Sequence, residues 1–133
     1  MPRIKAIAPE FLVADVMKAA EHYRDKLGFR IVGTFFGDPP VFAMVGRDDR
    51  IVMLSLAEGG RGGSNRSHKS EAIDAYFWVD DVEALHDEFR NSGADIALPP
   101  TLRVYGMKEI EVRDRDGYVL CFGEDVPSGP AGG

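Results

Sequence analysis

The sequence predicts an α+β fold built from two modules of the same plan, each a strand, a helix and three further strands. A stretch that begins at Asp15 returns in shortened form at Asp81, with a closing glycine at Gly28 in the first copy and at Gly93 in the second. Each copy also follows an apolar run typical of a strand. A repeat of this length is shorter than a domain, so we expect the two modules to share one fold.

Both repeated stretches have the pattern of an amphipathic helix. Asp15 and Asp81 can each cap a helix N-terminus through the side chain, and glycine suits the left-handed residue that ends a helix. Apolar residues recur at spacings of three and four, and Tyr23 in the first copy stands where Phe89 stands in the second. The pattern predicts two helices that begin at these Asp residues and each pack one apolar face.

Apolar, strand-like runs fill the rest of each module. In the first module the predicted strands cover residues 4–14, 29–36, 41–45 and 50–56. In the second module they cover residues 73–80, 95–98, 102–107, 109–113 and 118–124, one strand more than in the first, with a turn at Pro99-Pro100.

Residues 58–70 have the composition of a linker, because they are rich in Gly, Ser and charge and lack apolar periodicity. We therefore predict a first module over residues 1–57, this flexible linker, a second module over 71–124 and a loose tail over 125–133. The two modules are expected to form one structural domain.

Composition and charge narrow the classes of partner. The chain has 133 residues, of which 44% are hydrophobic, enough for a packed core. Its formal net charge of -6 argues against a general nucleic-acid binder, which needs a basic surface. No run reaches the ~18 apolar residues of a membrane span. The single cysteine, Cys121, permits no internal disulfide. These features predict a cytoplasmic protein with no nucleic-acid or membrane partner.

A set of motifs in this framework resembles a known family. The paired modules with Asp-Val helix starts, the tripeptide Tyr105-Gly106-Met107 and the strand-turn-strand sequence EVRDRDGYVLCFGE together resemble the vicinal oxygen chelate superfamily. Within it, the likeness is to the glyoxalase/bleomycin-resistance group and spans residues 4–124. The resemblance implies curved mixed sheets that form a ligand cup, and a homodimer in which modules pair between chains.

Enzymatic members of that family hold a divalent metal ion with a His, Gln or Glu early in the first strand of each module and a Glu late in the last. The corresponding positions here are Ala8, Met53, Asp74 and Cys121. Alanine offers no ligand atom, and methionine is a poor ligand for hard divalent ions. A soft-metal site at Asp74 and Cys121 is the alternative, although a lone strand cysteine is more often a small buried residue. We therefore expect no metal and no other cofactor.

Side-chain alternation predicts that one face of each sheet packs on the helix and the other faces the cup. Helix-side positions such as Phe11, Phe77 and Phe122 are uniformly apolar, whereas cup-side positions mix charged and aromatic residues. This asymmetry is typical of a ligand-binding face. The predicted ligand-binding residues are Glu10, Met53, Asp74, Tyr76, Trp78, Tyr105 and Cys121.

These features favour a metal-free protein that binds a small molecule, such as a bleomycin-like antibiotic or another cationic aromatic compound. Tyr76 and Trp78 would stack on the ligand, and Glu10 or Asp74 would supply negative charge. One alternative is a glyoxalase-type lyase, isomerase or dioxygenase with a non-standard site, in which Glu10 acts as a general base. The other is that the aromatic face serves only dimerisation. The three histidines form no recognisable catalytic triad, so catalytic residues are not assigned.

Overall fold

The chain divides into two units, one over residues 1–63 and one over residues 64–133. The computed structural model describes residues 1–60 and 62–127. Within these described residues, each unit contains one α-helix and a four-stranded mixed sheet, which confirms the predicted α+β class and the two strand-helix-three-strand modules. Among the described residues, no helix is both long and apolar enough to cross a membrane.

The first unit has its elements in the predicted order. They are β1 (Glu10–Val13), α1 (Val16–Leu27), β2 (Arg30–Phe35), β3 (Phe42–Arg47) and β4 (Arg50–Leu56). The strand order in the sheet is β1-β4-β3-β2. β1 runs parallel to β4, and the other neighbours are antiparallel.

The second unit repeats this arrangement. Its elements are β5 (Ala75–Trp78), α2 (Val82–Ser92), β6 (Asp95–Leu102), β7 (Met107–Arg113) and β8 (Val119–Asp125). The strand order is β5-β8-β7-β6, again with one parallel pair, β5 and β8. The internal repeat of the sequence is therefore a repeat of topology.

Both helices are capped at the predicted residues. The side chains of Asp15 and Asp81 each accept a hydrogen bond from a backbone N–H in the first turn, at 2.9 and 3.0 Å. At the other ends, Gly28 and Gly93 are left-handed, with φ of 73° and 80°. The same local signals therefore set the helix boundaries in both modules.

Each helix packs its apolar face on the sheet of its own unit. Tyr23 and Phe89, which correspond in the repeat, are both fully buried. In the second unit, the Phe89 ring meets Phe122 edge-on at a centroid distance of 5.3 Å, and Phe122 stacks on Phe77 at 4.6 Å. One face of the second sheet is thus committed to α2.

The predicted turn at Pro99-Pro100 and the predicted strand over 102–107 are both wrong. β6 continues through the two prolines, and the turn comes after it, where Gly106 has φ of 87°. The ladder between β6 and β7 shifts register around the prolines, and β6 lies at the sheet edge. Proline lacks the N–H that a ladder needs, and an edge strand with an irregular register tolerates that loss.

β1 is shorter than predicted because pairing starts only at Glu10. The Pro9 carbonyl accepts a hydrogen bond from the Met53 N–H at 2.9 Å, but proline has no N–H to return. The residues before β1 form no helix or strand, and Ile4 and Ile7 among them are 94% and 93% exposed. The other strand ends differ from the predictions by one or two residues.

The stretch predicted as a flexible linker contains regular turns. Short 3₁₀ turns occupy Glu58–Gly60 and Asn65–Ser67, and the boundary between the two units falls between these turns. The flexibility of this linker stays a prediction. Asp125 ends β8 instead of starting the tail. Residues 128–133 of the predicted tail, and Arg61 of the predicted linker, lie outside the described residues.

Candidate functional site

The candidate site lies on the face of the second sheet that points away from α2. Residues paired directly across a ladder share a face, and three neighbouring strands contribute to this one. We call it the open face. Its residues are Tyr76 and Trp78 of β5, Glu109 and Glu111 of β7, and Cys121 and Gly123 of β8.

Glu109 is the centre of the open face and is only 2% exposed. The Tyr76 hydroxyl donates to Oε2 at 2.8 Å. The Tyr105 hydroxyl lies 2.8 Å from Oε1 and 2.9 Å from Oε2, and Nε of Arg103 donates to Oε1 at 3.0 Å. The buried carboxylate is therefore satisfied by donors on β5 and on the turn between β6 and β7.

Two arginines balance the two buried carboxylates. Nη2 of Arg66 donates to Glu111 at 2.9 Å, and Nη2 of Arg103 lies 3.7 Å from the other oxygen of Glu111. Nε of Arg66 also donates to the Ala72 carbonyl at 3.0 Å. Arg66 belongs to the predicted linker, so its ion pair with Glu111 holds that stretch against the sheet. The two arginines also neutralise the charges of the two glutamates.

Glu109 is held in its ionised form. Burial by itself would raise its pKa, but the hydrogen bonds from Tyr105, Tyr76 and Arg103 together hold the pKa below the ordinary value of 4.5. A carboxylate with a depressed folded-state pKa stabilises the fold fully above its unfolded pKa. That contribution is lost as the pH falls through the folded-state value.

We therefore expect Glu109→Gln to flatten the acid limb of the stability profile. The variant should be less stable than the wild type at neutral pH, and the difference should shrink below about pH 4, since protonation removes the charge in the wild type as well. Urea denaturation between about pH 7 and pH 3 measures this. Asp95→Asn, which changes an exposed ion pair to Arg113 on the same sheet, is the matched control and should leave the profile unchanged. Parallel profiles for Glu109→Gln and the wild type would contradict the prediction.

Cys121 lies beneath this network as a protonated thiol. It is 2% exposed. Burial, and then the nearby carboxylates of Glu109 and Glu111, raise its pKa to about 12. Nucleophilic attack needs the thiolate, so this residue is not suited to act as a nucleophile.

The aromatic side chains of the site differ in exposure. Trp78 is 76% exposed and Tyr105 is 63% exposed, whereas Tyr76 is partly buried. The Tyr76 ring lies directly over Gly123, and the Trp78 ring packs against it at a centroid distance of 4.7 Å. The open face therefore presents an exposed indole beside a tyrosine that is held in place by Glu109.

The Asp74 carboxylate accepts hydrogen bonds from other residues of its own chain and is not part of the network around Glu109. Its Oδ2 accepts hydrogen bonds from the Ser64 hydroxyl at 2.6 Å and the Val119 N–H at 2.8 Å. Its Oδ1 accepts one from the Asn65 N–H at 2.7 Å. These contacts hold the turn at Asn65–Ser67 against the start of β8. The ligand-binding role of Asp74 stays a prediction.

The first unit carries the other two predicted site residues. Glu10 and Met53 are paired across β1 and β4, with Glu10 exposed and Met53 partly buried. Met53 lines an open pocket of about 580 Å³, whose lining also includes Ala8, Met44 and Ile51. The pocket is also lined by the charged residues Lys5, Asp49 and Arg50. The roles of Glu10 and Met53 in binding stay predictions.

The residues at the positions that the resemblance aligns with metal ligands do not fit a divalent ion. In the first unit, Ala8 has no ligand atom and Met53 offers only a thioether. In the second, the oxygens of Asp74 already accept three hydrogen bonds, and Cys121 is 2% exposed. Within residues 1–60 and 62–127, no three His, Cys, Asp or Glu side chains are grouped to hold a metal ion.

Four residues of the network were missed by the sequence reasoning, namely Glu109, Glu111, Arg66 and Arg103. The sequence does contain a signal for the two glutamates. They flank the fully buried Ile110 on β7, so the alternation of side chains along a strand places both of them on the face opposite Ile110. The arginines lie in short connecting segments outside the α-helices and strands, where no periodicity predicts the direction of a side chain.

Known proteins resemble this chain both in sequence and in fold. The family sequence model of the Glyoxalase/Bleomycin resistance protein/Dioxygenase superfamily matches residues 3–122. No curated protein matches the sequence.

Several solved structures are similar in fold. TioX from Micromonospora sp. ML1 is 21% identical, with 92% of this chain and 100% of that chain covered and a TM-score of 0.72. A glyoxalase-related enzyme from Clostridium phytofermentans is 16% identical, with 94% and 98% covered and a TM-score of 0.76. A bleomycin-binding protein in complex with bleomycin is 19% identical, with 91% and 98% covered and a TM-score of 0.70. At these identities the similarity shows the fold alone.

Proposed function

Because the chain belongs to the Glyoxalase/Bleomycin resistance protein/Dioxygenase superfamily, we propose that it is a metal-free member that binds a small aromatic molecule, such as a bleomycin-like antibiotic or another cationic aromatic compound. The observation that carries this proposal is Trp78, which is 76% exposed on the open face and packs against Tyr76. A large exposed aromatic residue beside satisfied polar groups is typical of a binding surface.

Stacking on Trp78 alone does not give tight binding. A stacked aromatic pair contributes about 0.5–1.5 kcal/mol beyond area burial, and a cation over the indole about 0.5–2 kcal/mol. Micromolar affinity corresponds to about 8 kcal/mol. The ligand must therefore also contact the exposed Tyr105 and the accessible edge of Tyr76, which favours a flat molecule with more than one ring.

The state of the polar side chains supports binding over catalysis. The fold itself serves both, since its neighbours include a bleomycin-binding protein solved with bleomycin and a glyoxalase-related enzyme. A glyoxalase-type lyase, isomerase or dioxygenase would need a reactive base or nucleophile. On the open face, Glu109 already accepts hydrogen bonds from three donors, and the raised pKa of Cys121 keeps it a thiol. The alternative is an enzyme in which Glu10 acts as the general base, and a turnover assay would detect its activity.

A two-fold homodimer in the cytoplasm is part of the proposal. Ile4 and Ile7 are almost fully exposed, and a second copy of the chain offers one way to cover them. Cys121 is an unpaired cysteine, as expected in a reducing compartment.

Titration of the chain with a bleomycin-type glycopeptide and a panel of cationic aromatic compounds tests the proposal. Trp78 is the only tryptophan, so its emission has one source and should change on binding. Trp78→Ala should weaken binding at least tenfold, measured by calorimetry. Phe36→Ala is a matched control, because Phe36 is also 76% exposed but lies in the first unit, and it should leave the affinity unchanged.

A defined pair of results would contradict the binding proposal. If the panel changes neither the emission of Trp78 nor the melting temperature, and Trp78→Ala instead turns a dimer into a monomer in sedimentation, the aromatic face serves dimerisation and the binding proposal fails.

A further inference from the structure

Glu109 is closed to a ligand, because the residue is only 2% exposed. Three donors already surround its carboxylate, namely the hydroxyls of Tyr76 and Tyr105 and Nε of Arg103. The Tyr105 hydroxyl lies within hydrogen-bond distance of both carboxylate oxygens. Glu109 can therefore act on a ligand only through the side chains that it holds.

The hydrogen bonds to Glu109 fix the polarity of the two tyrosines. An ionised carboxylate only accepts, so Tyr76 and Tyr105 each donate their single hydroxyl proton to it. Burial, followed by these hydrogen bonds, raises the pKa of both phenols, so the protons stay on the tyrosines at neutral pH. Toward a ligand, each phenolic oxygen can then only accept.

The neighbouring arginines donate to the carboxylates and to a backbone carbonyl. Arg103 directs Nε to Glu109 and Nη2 toward Glu111, and Arg66 directs Nη2 to Glu111 and Nε to a backbone carbonyl. The four charges cancel within the cluster. Recognition at the tyrosines therefore depends on hydrogen-bond direction more than on net charge.

We propose that Glu109 is a positioning residue that makes the oxygens of Tyr76 and Tyr105 hydrogen-bond acceptors on the open face, so that these tyrosines select a flat aromatic ligand with N–H donors, such as an aryl amidinium. The inference rests on the proposed binding function and adds the chemical class of the ligand. Trp78 supplies the flat contact, since its ring centroid lies 4.7 Å from that of Tyr76.

Three one-ring probes of similar size separate donor chemistry from charge. Benzamidine carries a positive charge with N–H donors, phenyltrimethylammonium carries the charge without donors, and benzoate carries only acceptors. Binding to the full chain is followed by the NMR signal of the Trp78 indole N–H, which is unique in this sequence. Benzamidine should bind at least fivefold more tightly than either of the other two.

Glu109→Gln tests the positioning role. A glutamine amide donates its own N–H to one tyrosine oxygen, so that the hydroxyl proton of that tyrosine turns outward. The variant should lose at least fivefold in affinity for benzamidine and none for benzoate, whereas a purely structural defect would weaken all probes alike. Tyr105→Phe removes one acceptor at an exposed position and should weaken benzamidine at least threefold without affecting phenyltrimethylammonium. Asp95→Asn should change nothing.

Equal affinities for the three probes, or an equal loss for all of them in Glu109→Gln, would overturn the inference. The proposed binding function would survive that result as long as larger aromatic compounds still bind. Should Glu109→Gln fail to fold, an unchanged ratio of benzamidine to phenyltrimethylammonium affinity in Tyr105→Phe overturns the inference by itself. If neither the probes nor the larger compounds shift the Trp78 signal, the proposed function fails as well.

Discussion

Phe89→Ala should lower the free energy of unfolding by about 3–5 kcal/mol. Phe89 is fully buried on α2, and its ring contacts Phe122 edge-on at 5.3 Å. Truncation removes the buried ring and leaves a cavity between helix and sheet that rigid strands fill only in part. Equilibrium denaturation in urea measures the loss, which is a large part of the stability of a small domain.

Phe36→Ala is the control for this prediction. The same atoms are removed, but Phe36 is 76% exposed, so the cost should stay below about 1 kcal/mol. Tyr23→Ala, at the corresponding place in the first module, should behave like Phe89→Ala, because Tyr23 is equally buried. A cost below about 1 kcal/mol for Phe89→Ala would show that α2 is not packed as described.

Gly123→Ala should cost about 2–4 kcal/mol and also disturb the open face. A Cβ at this position would lie 2.6 Å from Cζ of Tyr76 and 3.2 Å from Cε of Met107. The Tyr76 ring must therefore move, which combines overpacking, at about 1–3 kcal/mol, with damage to the hydrogen bond between Tyr76 and Glu109. Urea denaturation and the emission of the adjacent Trp78 both report the change.

A double-mutant cycle identifies the cause of this effect. In a Tyr76→Ala background the obstructing ring is absent, so Gly123→Ala should cost less than about 1 kcal/mol there. Gly63→Ala should be within about 0.5 kcal/mol of the wild type, because a Cβ on Gly63 would meet nothing within 4 Å. Additive effects of the two substitutions would contradict the close packing of Tyr76 over Gly123.

Local signals in the sequence predicted the elements of this fold well. Asp15 and Asp81 cap the helices through their own side chains, and Gly28 and Gly93 end them through their own backbone. Such contacts join residues a few positions apart, so a repeated motif is enough to locate them.

Features that depend on contacts between residues far apart in the sequence could not be predicted from such local signals. The path of β6 through Pro99 and Pro100 depends on its edge position, which is a property of the whole sheet. The pairing of Arg66 with Glu111 joins residues 45 positions apart. The contacts of Asp74 with the predicted linker are likewise fixed by where the chain folds back, and no periodicity in that stretch indicates them.

The central claim is that the open face of the second sheet binds an aromatic small molecule without a metal ion. Chemical-shift mapping of chelator-treated protein, titrated with a bleomycin-type glycopeptide, tests it most directly. We expect the Trp78 indole signal and the backbone signals of Tyr76, Glu109 and Gly123 to shift together and saturate at one site. Shifts that appear only after a divalent ion is added, or that are confined to the first unit around Met53, would contradict the claim.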